Sequence, residues 1–256
     1  MARSRHRRLL LINLSAGSAT SEAVDLIRGE LSDFHYHEYH KRLRVADLLT
    51  SEGAVVVAGG DGAVGSVARQ ILHSRHTLGI LPAGTYNNFA NALGIPPDIE
   101  AALAVVKRGR AKPVSVGMAN GEPFLEAALV GAFGEALQAG EAIKELEVGE
   151  LFERFRALAE SPKFAYRLTG DVSGRGEARN LSFANAPRIG THIRVSDGTP
   201  RDTWLEISLG EATLEFRRLR LQTTPRVRVF ADARPIGRTP VSIEANPGAL
   251  RVLLLR

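Results

Sequence analysis

The run Ala54-Val55-Val56-Val57-Ala58, followed at once by Gly59-Gly60-Asp61-Gly62, constrains the fold more than any other segment of the chain. Five consecutive apolar residues do not alternate between core and solvent, so the run suits a parallel strand covered on both faces. A helix should follow the glycines, because Val64, Val67, Ala68, Ile71 and Leu72 recur at i, i+3, i+4, i+7 and i+8 and form one apolar stripe. A buried strand ending in glycines and feeding a helix gathers backbone N–H groups and the positive end of the helix dipole at one point, which suits an anion. No lysine follows, so this is not the Walker phosphate loop. Asp61 stands where a phosphate would lie, and two anions repel unless a cation separates them. Asp61 is therefore either a carboxylate that meets phosphate through a divalent metal, held partly through water, or a simple helix cap.

The segments around this run alternate strand and helix. Arg8 to Asn13, Phe34 to His40 and Leu78 to Leu81 read as strands, and Ser21 to Leu31, Asn87 to Leu93 and Ile99 to Val106 as helices. Such βα units argue for a mostly parallel sheet covered by helices. Beyond about residue 112 short strands dominate: Val114 to Met118, Pro123 to Leu129, Lys163 to Thr169, Glu177 to Asn185, Trp204 to Leu209, Leu219 to Thr223, Val227 to Ala231 and Leu250 to Leu255. Asn120-Gly121, Asp197-Gly198, Pro225 and Asn246-Pro247-Gly248 supply turn signals between them, and one helix is expected over Glu141 to Glu160. The chain is thus expected to be α/β with two domains: 1–112 a mostly parallel-sheet nucleotide-binding unit, and 113–256 a mainly antiparallel β unit.

Composition narrows the setting. The absence of cysteine excludes disulfides and thiolate metal sites. Arg3, Arg5, Arg7 and Arg8 precede an apolar stretch of only Leu9-Leu10-Leu11-Ile12. That is shorter than the roughly 7–15 residues of a secretory core and the roughly 20 of a membrane span. A soluble cytoplasmic protein with a basic arm is expected. The net charge of +5 admits anionic partners, although no nucleic-acid module or aromatic platform accompanies it.

A second loop strengthens the nucleotide reading. Leu81-Pro82-Ala83-Gly84-Thr85-Tyr86-Asn87-Asn88 again leaves a strand through Pro and Gly and enters a helix, with Thr85, Asn87 and Asn88 at its mouth. Loops at the carboxyl ends of neighbouring parallel strands form the ligand crevice of open α/β sheets. Together the Gly-Gly-Asp-Gly and Leu-Pro-x-Gly-Thr-x-Asn loops resemble the diacylglycerol kinase catalytic domain, a family that includes sphingosine kinases and bacterial lipid kinases, with NAD kinases as more distant relatives. Asn13-Leu-Ser-Ala-Gly17, Phe124-Leu-Glu-Ala-Ala-Leu-Val-Gly131 and Asn246-Pro-Gly-Ala-Leu-Arg-Val-Leu253 are similar to further family segments.

The resemblance implies a C-terminal β-sandwich that binds the acceptor, a final segment able to return to the first domain, an ATP and Mg2+ site in the cleft, and a lipid acceptor. ATP would lie on Asn13, Gly59, Gly60, Asp61, Gly62, Gly84, Thr85, Asn87 and Asn88. Asp61 and Asp232 would be the catalytic and metal-linked carboxylates, with Asp232 as general base and Asp61 organising metal and water. The chain also departs from the family pattern. Ala63-Val64-Gly65-Ser66 replaces Thr-x-Asn-Glu, Asn88 replaces an aspartate, and Asp232-Ala233-Arg234 replaces Asp-Gly-Glu. Glu126 and Glu135 are candidate substitute acids, and Arg234 could lie directly against phosphate. These changes leave open a weakened member that binds nucleotide or lipid as a sensor, and an NAD kinase is a third reading. His35, His37 and His40 read as a solvated strand rather than a metal cluster. Arg218, Arg220, Arg226 and Arg228, interleaved with apolar residues, read as basic outer sheet faces or as a contact with anionic membrane.

Overall fold

A computed structural model describes residues 6–17, 20–135, 161–189, 193–209 and 212–255. The expected helix over Glu141–Glu160 and the first arginines of the basic arm, Arg3 and Arg5, lie outside the described residues. The first part follows the βα alternation: β1 (His6–Ile12), α1 (Ser21–Glu30), β2 (His35–Glu38), β3 (Leu49–Gly59), α2 (Asp61–Ile71), β4 (Thr77–Pro82), α3 (Asn88–Ala92) and α4 (Ile99–Arg108). Strands β2, β1, β3 and β4 lie side by side and parallel. Val55, Val56 and Val57 of β3 are fully buried, because α2 and the other helices cover the sheet. Leu9–Ile12, Val55–Val57, Val64, Val67, Ile71, Ile80 and Phe89 belong to one apolar core.

The rest is antiparallel: β5 (Arg110–Ala119), β6 (Glu122–Phe124), β7 (Ala127–Gly131), β8 (Phe164–Gly170), β9 (Gly174–Ala178), β10 (Asn180–Ala184), the short β11 (Arg188–Ile189) and β12 (Ile193–Arg194), β13 (Leu205–Leu209), β14 (Ala212–Phe216), β15 (Arg218–Thr224), β16 (Arg228–Ala231), β17 (Arg234–Arg238) and β18 (Val241–Leu254). A six-stranded sheet, β14-β13-β10-β7-β16-β17, packs on β5, β6, β8, β15 and the first part of β18. Phe124, Phe164, Phe183, Phe216, Leu219, Leu221, Val229 and Ile243 fill the space between the two layers.

Strand β18 joins the two parts. Its start pairs antiparallel with β15, from Arg218↔Glu244 to Leu221↔Val241. Its end pairs parallel with β4 at Val252↔Leu78. Along its length it pairs with β5, from Ile243↔Ala119 to Leu254↔Arg110, with the register broken between Asn246 and Leu250. Asn246-Pro247-Gly248, expected to separate two strands, is therefore an irregularity within one long strand.

Two expected strands are each two strands. Pro123–Leu129 divides into β6 and β7, and Glu177–Asn185 into β9 and β10. Strands β14 and β17 were not expected, because Pro235 and Gly237 make β17 read as a turn. The alternating arginines do point outward, with Arg218 and Arg220 exposed and Leu219 and Leu221 buried. They occupy different layers, however, since β15 belongs to the long sheet and β16, with Arg228, to the six-stranded one.

Candidate functional site

The order β1-β3-β4 sets three loops next to one another at the carboxyl ends of the strands. The Asn13 amide donates to the Ala58 carbonyl at 2.9 Å, and the Ala83 amide to the Gly59 carbonyl at 3.1 Å, so the loops are stitched together at their bases. Glycine makes the fit between them. A Cβ on Gly84 would stand 2.4 Å from the Cα of Gly60, closer than any real contact, so neither loop accepts a larger residue at this crossing. The Asn87 side chain braces the second loop from within: Oδ1 accepts from the Gly84 amide at 3.0 Å and Nδ2 donates to the Gly84 carbonyl at 2.8 Å. Asn87 itself lies in the left-handed region, at φ 52°. Thr85 and Gly62 are exposed at the mouth, and nothing lies within 4 Å of a Cβ built on Gly62. This open space lies against the start of α2, whose N-terminal flank is Gly60, without a side-chain cap.

Asp61 does cap a helix, but not its own. Its Oδ1 accepts the Phe89 amide of α3 at 3.3 Å. Burial pushes its carboxyl above the usual aspartate range and the negative charge of Asp232 adds to this, while the Asn88, Phe89 and Asn87 amides work against it.

Asp232 comes from the other half, in the turn between β16 and β17, with φ 51°. Its Oδ1 accepts the Glu126 amide at 2.9 Å, and the Leu125 amide reaches Oδ1 at 3.2 Å and Oδ2 at 3.3 Å. Leu125 and Glu126 form the break between β6 and β7, so the interruption exposes the very amides that hold the carboxylate. Burial raises the Asp232 carboxyl; the Glu126 and Leu125 amides, followed by Arg69 and Arg234, oppose it. Glu126 completes the group: its Oε2 accepts from Nδ2 of the buried Asn88 at 2.8 Å. Glu135 does not join it, lying exposed with its carboxylate 3.8 Å from Arg228.

Two cations stand beside these carboxylates. Arg69 lies on α2 one turn beyond Gly65, and its Nη1 is 4.0 Å from Asp232 Oδ2. That same Nη1 is 3.0 Å from where a Cβ on Gly65 would stand, so the absent side chain makes room for it. Arg234 donates from Nη2 to the Pro123 carbonyl at 3.1 Å and lies 3.7 Å from the Glu122 carboxylate. The sequence reading missed Arg69, although a glycine and an arginine at i and i+4 share one helix face, a signal the sequence carries.

Among the described residues no group of three His, Asp or Glu side chains is placed to hold a metal ion. The His35 ring stacks on His6, with centroids 3.6 Å apart. Asp61, bonded on one oxygen to a backbone amide, fits a hydrated Mg2+ that arrives on nucleotide phosphates, the usual way this ion is bound. Asp232 is already committed to two amides and an arginine.

Three loops thus lie at one end of a parallel sheet, with partly buried carboxylates from both halves of the chain among them. Comparisons with known proteins identify the family. Residues 7–119 match the model of the diacylglycerol kinase catalytic domain. A Pseudomonas aeruginosa protein named "probable lipid kinase YegS-like" is 31% identical over 248 residues, covering 84% of this chain and 80% of the relative. A Bacillus subtilis diacylglycerol kinase is 44% identical over 77 residues, covering 29% of this chain and 25% of the relative. A crystal structure of a diacylglycerol kinase from Bacillus anthracis superposes with a TM-score of 0.75 over 98% of both chains, at 21% identity. This chain belongs to the diacylglycerol kinase catalytic-domain family of lipid kinases. No helix among the described residues is long and apolar enough to cross a membrane.

Proposed function

We propose that the chain is an ATP- and Mg2+-dependent lipid kinase that moves the γ-phosphoryl group of ATP to a hydroxyl of a diacylglycerol-like or sphingoid lipid. The observation that carries this reading is that Asp232, from the other half of the chain, lies 4.0 Å from Arg69 of α2, the helix whose start carries Asp61 and the glycine loop. In this reading residues 1–112 hold the nucleotide and 113–256 the acceptor. Asn13, Gly59, Gly60, Gly62, Gly84 and Thr85 surround the phosphates, with Asn87 and Asn88 fixing the second loop. Asp61 would hold Mg2+ through water, and the ion supplies neutralisation of charge on the phosphates. Asp232 takes the proton of the acceptor hydroxyl; its raised carboxyl and fixed amide bonds suit a positioned base.

A second reading has one observation in its favour. Arg69 stands 4.0 Å from Asp232 Oδ2, a cation beside the base position, which suits a member that binds nucleotide or lipid as a sensor without turnover. NAD as acceptor is a third. One assay separates them: radiolabelled ATP and Mg2+ with a total lipid extract, or with NAD, run beside Asp61→Ala. A labelled lipid that vanishes with Asp61→Ala is expected. Labelled NADP would assign the third reading, and ATP binding without any labelled product would assign the sensor.

A further inference from the structure

We propose that Arg69 and Arg234 form a guanidinium pair that grips the terminal phosphoryl group of the nucleotide, in place of the charge that metal-linked carboxylates at positions 66 and 234 would organise. The inference rests on the nucleotide-binding part of the reading above and identifies which of this chain's own side chains meet the phosphate.

Three observations carry it. The first is space: Arg69 runs back along α2 to Gly65, and its Nη1 stands 3.0 Å from where a Cβ at residue 65 would lie. A side chain at residue 65 would therefore crowd the guanidinium. The second is bonding. At 4.0 Å from Asp232 Oδ2, Arg69 stands at the outer limit of an ion pair, with 22% of its side chain accessible, and this is the only pairing it makes among the described residues. The Nε of Arg234 is buried and has no hydrogen-bond partner among the described residues. Both arginines thus hold donor capacity in reserve around Asp232, and guanidinium forks match phosphate oxygens well.

The third observation is electrostatic. Arg69 sits beside a second arginine, and burial followed by the Arg234 charge lowers its affinity for its proton. The two cations repel one another, and Asp232, Tyr39 and Glu122 offset this repulsion only in part. An arriving phosphate relieves it. As Arg69 turns to the phosphate it also leaves Asp232, freeing that carboxylate to accept the hydroxyl proton at the moment the donor is in place.

The test is calorimetric titration of the full chain with ATP and with AMP, in EDTA, for wild type, Arg69→Gln, Arg69→Lys, Arg234→Gln and Gly65→Asn. Loss of a charged phosphate contact should weaken ATP binding about tenfold in Arg69→Gln and Arg234→Gln, with AMP affinity unchanged. Arg69→Lys should recover part of the loss. Gly65→Asn, which pushes the guanidinium aside, should behave like Arg69→Gln. Unchanged ATP affinity in both glutamine variants overturns the inference while leaving the kinase reading intact. Equal losses for ATP and AMP also overturn it, by showing damage to the pocket. Wild type that binds ATP only when Mg2+ replaces EDTA also overturns the inference, and wild type that binds no nucleotide even with Mg2+ overturns the kinase reading itself.

Discussion

The two turns that supply the buried carboxylates hold them by different means. Asp61 leaves the end of a parallel strand and is stabilised by amides at the start of α3, with burial and a second carboxylate ranged against its charge. Asp232 leaves an antiparallel hairpin in a left-handed conformation and has amides of Leu125 and Glu126 on both oxygens, with Arg69 beside it. Among the described residues one carboxylate faces the glycine loops without an ion-pair partner, and the other has Arg69 at hand. In the proposed reaction the contrast favours a metal-linked role for Asp61 and a proton-accepting role for Asp232.

The largest effect should come from removing the base. Asp232→Asn keeps an acceptor for the Glu126 amide, so turnover should fall by about 10²–10⁴-fold with ATP affinity within a factor of two, read by steady-state kinetics and titration. Unchanged turnover would erase the distinction between the two carboxylates. Next is Gly84→Ala, whose Cβ would meet the Gly60 backbone. Forcing the two loops apart should destabilise the chain by about 1–3 kcal/mol and weaken ATP more than it weakens the fold, measured by denaturant unfolding and calorimetry.

A smaller effect concerns the fold alone and carries a pH signature. The Asp61 carboxyl is raised in the folded chain, so its charged form opposes folding at pH values above that raised value. The penalty disappears as pH falls to the ordinary aspartate range, where the carboxyl is protonated in both states. Asp61→Asn should accordingly raise Tm at pH 8, and the gain should shrink as the pH is lowered; a constant gain would mean that burial of charge is not its source. Smallest is Gly62→Ala, which meets nothing within 4 Å and lies in the first turn of α2. It should stabilise by about 0.4–1 kcal/mol in denaturant unfolding, opposite in sign to the same change at Gly84.

The two halves were not equally legible in the sequence. The parallel half declares itself, because Val55–Val57 and the Val64–Ile71 stripe have periods that only a covered strand and an amphipathic helix satisfy. The antiparallel half hides its breaks. Nothing in Phe124-Leu125-Glu126-Ala127 marks a strand end, yet the break there supplies the amides that hold Asp232. Pro235 and Gly237 conceal β17, and Asn246-Pro247-Gly248 mimics a turn inside β18. At the site, the glycine loops and Asp61 could be named from residue types and order, and Asp232 only through the family resemblance. The choice of Glu126 over Glu135 could not, since both are acids near strand ends and only the fold sets one against Asn88 and the other against Arg228. Arg69 was accessible in principle, through its spacing from Gly65, but its direction depends on Asp232, which is distant in sequence.

Strand β18 has a consequence for synthesis. The ribosome delivers β1, β3 and β4 early, and they can pair with one another as soon as they emerge. The outer edge of β4, however, waits for Val252, some 170 residues later, so nascent chains carry an open parallel edge over most of their translation. Of the two halves the parallel one is made first and closed last. Its completion reports that the antiparallel half has already been synthesised.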